Sequence, residues 1–126
     1  MLHRFVAILF FFCATAQLWS QTKPEGEPEP LTRILFVFDG SQSMYGRWES
    51  GTKIQVAQRL MGQMLDSLQG IQGEANFQLA LRIYGHQKPV PPQDCSDTKL
   101  EVPFGTGNIY KIKRVLRAIN PMGTTP

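Results

Sequence analysis

"RILFVFDGSQSM", residues 33–44, decides how the rest of the chain is read. Ile34 to Phe38 form an unbroken apolar run rich in β-formers, a pattern that suits a strand buried on both faces of an α/β sheet. Where that strand should end, one carboxylate and two hydroxyls follow at alternate positions: Asp39, Ser41 and Ser43. In open α/β sheets ligands gather at the carboxyl ends of the strands, so these three oxygen donors are well placed for a binding site. Asp and Ser also favour plain turns, where the side chain bonds nearby backbone. On these residues alone, both readings stand.

Downstream, "ESGTKIQVAQRLMGQMLDSLQG" predicts a helix. Thr52 and Gln55 have capping-box spacing, and Gly70 is a natural stop. Ile54, Ala57, Leu60 or Met61, Met64 and Leu68 recur at helical spacing, with the methionines read as core filler. "ANFQLALRIYG" (75–85) alternates Phe77, Leu79, Leu81 and Ile83 with Asn76, Gln78, Ala80 and Arg82, which predicts a second strand. A proline-rich loop, "HQKPVPPQDCSD", leads to a short third strand, "KLEVPF" (99–104), which Pro103 assigns to a sheet edge. "GTGNIYKIKRVLRAIN" predicts a turn, an Asn108 cap and a second helix that Pro121 ends, with "MGTTP" as a further turn. Strand, helix, strand, strand, helix gives an open, Rossmann-like α/β sheet with helices on both faces. No further strand follows that helix, so the sheet is expected to be incomplete within these 126 residues.

The first part of the chain reads differently. A basic start, "MLHR", precedes the apolar run "FVAILFFFCATAQLW", which is short against the about 20 residues of a membrane-spanning helix. Ala14-Thr15-Ala16 fits a leader cleavage rule, so residues 1–20 read as a secretory signal peptide cut after Ala16 or Ser20, with an uncleaved anchor as the alternative. Residues 21–30, "QTKPEGEPEP", are too rich in Pro and Glu to bury a core and read as a tether. The domain is then 31–126, and the mature chain carries no transmembrane span.

The net charge of +3 gathers largely in "KIKRVLR" (111–117), where helical spacing puts Ile109, Ile112, Leu116 and Ile119 on one face and Lys111, Lys113 and Arg114 elsewhere. That is a solvated helix face, and no nucleic-acid partner is expected. Outside the leader Cys95 is the only cysteine, set in a polar loop; no zinc framework is possible, and an odd cysteine in an exported chain suggests a missing partner or a free thiol. His86, with no second His or Cys nearby, reads as structural or solvated. Tyr45 and Trp48, beside the Asp39 loop, either shape a ligand surface or pack over the first helix.

Taken in order, "FVFDGSQSM", a helix, "LALRIYGH" and "INPMGTTP" resemble a von Willebrand factor A domain, specifically the exported bacterial A-domain proteins. The resemblance covers residues 31–126. It matches Asp39, Ser41 and Ser43 to the Asp-x-Ser-x-Ser core of that family's metal-ion-dependent adhesion site, and Thr125, just before a proline, to its threonine. It implies Mg²⁺ at that site, with Mn²⁺ or Ca²⁺ left open. Ser41 and Ser43 would coordinate directly, and Asp39 would act through water or hydrogen bonds. It further implies a protein partner that presents an Asp or Glu carboxylate. The family's later aspartate, after another central strand, has no counterpart here, so metal affinity in this chain is expected to be weak. The family's fourth strand pairs with the free side of the first, a side expected to be open here.

The physics suits such a role. Mg²⁺ demands near-octahedral oxygen ligands. One carboxylate with neutral hydroxyls leaves the cation most of its charge for an outside carboxylate. A hydrolase is the competing expectation. Dehalogenase-type phosphatases place a nucleophilic aspartate after the first strand, as Asp39 is placed, but need a second acid where Ser41 stands. A serine hydrolase lacks its Gly-x-Ser-x-Gly elbow. The expectation is therefore a non-enzymatic binding module, with an A domain that has lost its metal and serves as a spacer as a third possibility.

Overall fold

The computed structural model describes residues 30–71 and 76–125. The leader expected over 1–20, and the tether over 21–30 except Pro30, lie outside the described residues. Among the described residues no helix is long and apolar enough to cross a membrane.

Among the described residues eight elements follow one another: β1 (Thr32–Asp39), a 3-10 turn (Gln42–Tyr45), β2 (Arg47–Trp48), β3 (Gly51–Thr52), α1 (Lys53–Ile71), β4 (Phe77–Tyr84), β5 (Thr98–Gly105) and α2 (Ile109–Ala118). The main sheet has the order β1-β4-β5, and β2 and β3 form a separate two-stranded ribbon. β1 and β4 are parallel and in register from Thr32↔Phe77 to Asp39↔Tyr84. Parallel neighbours need a crossover, and α1 supplies it. β5 returns antiparallel to β4 and forms an edge, where Pro103 costs no ladder bond. β1 is the opposite edge, with β4 on one side and no strand of the described residues on the other.

In this register Ile34, Phe36 and Phe38 share a face with Leu79, Leu81 and Ile83. That face meets both helices: Ile54 and Leu65 of α1 and Ile109, Ile112 and Leu116 of α2 join one core with Phe38, Leu79, Leu81, Ile83 and Val102. Leu65, Leu79, Leu81, Ile83 and Ile112 are fully buried, each stabilising the fold by about 1.5–3 kcal/mol. The other face carries Leu35 and Val37, which remain 43% and 60% exposed. The apolar run of β1 is therefore buried on one face, not two, because both described helices cross over the same side. This is an incomplete Rossmann-like α/β arrangement.

Three local expectations need correcting. The buried stripe of α1 runs through Ile54, Ala57, Met61, Leu65 and Leu68, while Leu60 and Met64 stay exposed. Leu65 takes the place expected of Met64 because the stripe advances by three or four residues at each step. Gln58 lies toward α2, and its Nε2 donates to the Leu116 carbonyl at 2.7 Å. Lys113 is not on a purely solvated face: its ammonium pairs with Asp66 of α1. Asn108 precedes α2 but makes no side-chain cap. Its Nδ2 instead donates to the carbonyls of Leu79 (3.0 Å) and Pro103 (2.7 Å). By contrast, Thr52 and Gln55 do form the capping box of α1. Thr52 N donates to Gln55 Oε1 at 3.0 Å, and Gln55 N to Thr52 Oγ1 at 3.4 Å.

Candidate functional site

β1 delivers Asp39 to the carboxyl end of the sheet, level with Tyr84 of β4. The ladder extends one residue further, with Gly40 N donating to Tyr84 O at 2.8 Å. The chain then turns, and Ser41 N donates to Asp39 Oδ1 at 2.8 Å, the local turn bond that Asp favours. Ser41 itself is 1% exposed. The 3-10 turn that follows is closed by Met44 N to Ser41 O (3.0 Å) and Gly46 N to Ser43 O (3.1 Å). This turn carries the Ser43 hydroxyl back toward Ser41.

A second segment arrives from the end of α2. Ser41 forms an isolated parallel bridge with Gly123, in which Gln42 N donates to Gly123 O at 2.8 Å. That registration brings Thr125 over Ser41, and Thr125 Oγ1 donates to Ser41 Oγ at 3.0 Å. Ser41 Oγ also lies 3.0 Å from Ser43 Oγ. Residues 84 positions apart thus meet in one hydroxyl chain, Ser43–Ser41–Thr125, with the Asp39 carboxylate held against its backbone. The structure brings all four sequence-expected site residues together. It also separates the two threonines: Thr124 Oγ1 is buried without a hydrogen-bond partner and takes no part in the chain.

The surroundings are polar but sparsely charged. Burial, and after it the neighbouring Asp39 carboxylate, push the Tyr84 phenol above its ordinary pKa. His86 Nε2 lies 2.8 Å from Glu101 Oε1. Burial works to raise the Glu101 pKa, but the bonds from His86 and Lys99 outweigh it and hold the carboxyl below its ordinary value. His86 is thus tied into the sheet, and its Nδ1 is buried without a partner. Tyr45 and Trp48 are 48% and 56% exposed beside the loop, and the Tyr45 hydroxyl donates to Asn120 Oδ1 at 2.5 Å. Cys95 is exposed and free. A groove of 330 Å³ lies elsewhere, between α1 and α2, and its lining includes none of the hydroxyl cluster.

Among the described residues no three His, Cys, Asp or Glu side chains gather around one point, so a cation at this strand end would rest mainly on neutral oxygens. The spacing of those oxygens suits a small ion. Adjacent ligands on an octahedron with metal–oxygen bonds of about 2.1 Å lie about 3.0 Å apart, and Ca²⁺ at about 2.4 Å would spread them to about 3.4 Å. Both observed hydroxyl separations are 3.0 Å. O–H···O bonds reach the same length, so hydrogen bonds among the hydroxyls by themselves hold this spacing. The spacing is compatible with Mg²⁺ or Mn²⁺, for which Ser41, Ser43 and Thr125 would be the oxygens and Asp39 would stand beside them.

The sequence did not mark out Gly123, which supplies the bridge to Ser41. A Cβ there would fall 2.8 Å from Lys88 O and 3.0 Å from Gly85 O, so only glycine lets the segment come this close. "MGTTP" advertises a turn, and nothing local tells a turn glycine from one packed against another loop.

No family model matches the chain, and no curated protein is significantly similar to it. Solved structures do share its fold. The conserved hypothetical protein BatB from Bacteroides thetaiotaomicron superposes with a TM-score of 0.53 at 18% identity, over 74% of this chain and 40% of that one. An uncharacterized membrane spanning protein from Vibrio fischeri gives 0.53 at 14% identity, over 76% and 43%. The PilB minor pilin from Streptococcus sanguinis gives 0.55 at 18% identity, over 82% and 25%. The chain therefore spans less than half the length of each of these proteins. At such identities the likeness concerns the fold alone, and it is compatible with a von Willebrand factor A-like arrangement.

Proposed function

We propose that this chain is an exported, metal-dependent protein-binding module that docks a partner's Asp or Glu carboxylate on a divalent cation held by Ser41, Ser43 and Thr125. The observation that carries the reading is the continuous chain of hydroxyls from two distant segments at the carboxyl end of β1, with a single carboxylate, Asp39, beside it. A bound Mg²⁺ would supply a positive centre that neutral hydroxyls leave largely uncancelled. Asp39 orients the loop through the Ser41 amide, and Thr125 ties the 121–125 segment to it. The exposed Tyr45 and Trp48 lie beside the loop, where a partner would meet them. The role is binding rather than catalysis, because the position where a phosphatase would need its second acid is Ser41, and that side chain is bonded to two other hydroxyls.

Titration calorimetry with Mn²⁺ tests the proposal. The wild type should bind one ion weakly, in the range of about 10⁻⁴–10⁻³ M that low-affinity oxygen sites show. Ser41→Ala combined with Ser43→Ala removes two oxygens without altering charge and should abolish the heat while far-UV circular dichroism stays unchanged. Asp39→Ala should abolish binding as well. Thr125→Ala should weaken capture of a carboxylate-bearing partner more than it weakens Mn²⁺ binding. Equal Mn²⁺ binding by wild type and the double serine variant would place the ion elsewhere and leave "DGSQS" as a turn.

A further inference from the structure

Immediately before β5 lies a buried carboxylate that the hydroxyl cluster does not use. Asp97 is 2% exposed, and what surrounds its oxygens is a set of N–H donors from one loop. Oδ2 accepts from Gln87 N at 3.0 Å and Lys88 N at 3.1 Å. Oδ1 accepts from Gln87 Nε2 at 3.0 Å and shares the Gln87 amide at 3.3 Å. The Asp97 backbone carbonyl accepts from Gly85 N at 2.8 Å. Burial works to raise the Asp97 pKa, but the backbone bonds from Gln87 and Lys88 outweigh it and hold the carboxyl below its ordinary value.

That loop is the seat of the second site segment. Gly123 N donates to Gly85 O at 2.9 Å, and Gly123 O then accepts from Gln42 N at 2.8 Å. Gly123 lies so close to the clamp that a Cβ there would be 2.9 Å from Asp97 Oδ2. Gly85 holds a left-handed φ of 68°, and a Cβ on it would meet Thr124 O at 2.7 Å and Ser41 Cα at 3.0 Å. A continuous set of bonds therefore runs from Asp97 through Gly85 and Gly123 to Gln42. Two residues beyond Gly123, Thr125 reaches Ser41.

We infer that Asp97 is the positioning residue of the hydroxyl cluster: its carboxylate fixes the 85–88 turn as the seat on which residues 123–125 are registered against Ser41. The chemistry requires a carboxylate. All its contacts are donors, and an amide here would lose the charge that strengthens the two backbone bonds and could meet the Gln87 side chain only if that amide turned over. The effect on metal binding rests on the proposed function, but the positioning itself does not.

Amide hydrogen exchange followed by NMR separates the two. Asp97→Asn should speed exchange at Gly123 and Gln42 by about tenfold, the equivalent of one lost hydrogen bond, with Leu81 in the sheet core unchanged. The same variant should weaken Mn²⁺ binding about tenfold, and adding Thr125→Ala should then weaken it no further, since the threonine is already displaced. If Asp97→Asn does not fold, Gln87→Ala removes one donor to the carboxylate and should give a smaller acceleration at the same two amides. Unchanged exchange at Gly123 and Gln42 in the folded variant overturns the inference. So does acceleration shared equally by Leu81, which marks general destabilisation. If the wild type binds no Mn²⁺, the metal reading fails while the exchange result still decides the role of Asp97.

Discussion

Asn108→Asp separates two accounts of one residue. At the N-cap of a helix Asp is as good as Asn, and the negative charge favours a helix N-terminus by about 0.3–1 kcal/mol, so a capping role predicts no loss or a slight gain. The structure gives the side chain other work. Asn108 is 6% exposed, and its Nδ2 bonds Leu79 O of β4 and Pro103 O of β5. It straps the two strands together where the β4–β5 register is irregular. A carboxylate cannot donate, so both carbonyls lose a partner and face a negative charge. Each unsatisfied buried acceptor costs about 1–3 kcal/mol, for a total of about 2–6 kcal/mol before any repulsion. In a domain of this size that lowers Tm by about 10 °C or more. Urea denaturation followed by circular dichroism is the assay, with Asn108→Ala as the uncharged control that loses the same two bonds, about 2–6 kcal/mol, without the repulsion. A variant Asn108→Asp as stable as wild type would refute the strap and restore the cap.

Other expectations test different parts of the structure. Asp97 and Glu101 both titrate below their ordinary values. A depressed folded-state pKa contributes stability that is present above the unfolded value and lost as pH falls through the folded one. Tm should therefore hold level from about pH 7 to 5 and drop below about pH 4, with a shallower drop in Asp97→Asn; stability that increased from pH 5 to 3 would contradict this. Val37 stands 60% exposed on the bare sheet face, so Val37→Thr in the 126-residue chain should change stability by less than about 0.5 kcal/mol, and a loss above about 1.5 kcal/mol would mean that the face is covered. The Lys113–Asp66 pair joins the two helices, but Asp66 is 65% exposed, so Asp66→Asn should cost no more than about 1 kcal/mol and less at high salt; a larger loss in a urea melt would show that the pair holds the helices together.

The sequence made plain what local pattern controls. The run Ile34–Phe38, the alternation through Phe77 to Ile83, the Thr52–Gln55 box and the proline-marked edge each depend on residues within a turn or two of one another, and each formed. The site was legible for a related reason: Asp39, Ser41 and Ser43 are neighbours in sequence, and Thr125 stands in a recognisable turn. What sequence reading missed lies across long separations. Asn108 looked like a cap because its partners, Leu79 and Pro103, are set by sheet pairing. Asp97 looked like one more polar loop residue, since its role exists only once the loop from 85 to 88 folds back on it. Leu65 takes Met64's place in the stripe because spacing alone does not fix the phase of the helix, which the bonds of Gln58 and Asp66 of α1 to Leu116 and Lys113 of α2 show. The one-sided burial of β1 also reflects where the two helices cross, which an apolar run cannot encode.

The proposed cation site at the end of β1 rests on the hydroxyls of Ser41, Ser43 and Thr125. Anomalous diffraction from crystals of the protein soaked in Mn²⁺ tests it directly. One peak is expected about 2.1 Å from both Ser41 Oγ and Ser43 Oγ, with Asp39 beside it and no peak in crystals of the double serine variant. A peak on other carboxylates, such as Asp94 or Glu101, or none at the strand end at saturating Mn²⁺, would contradict it.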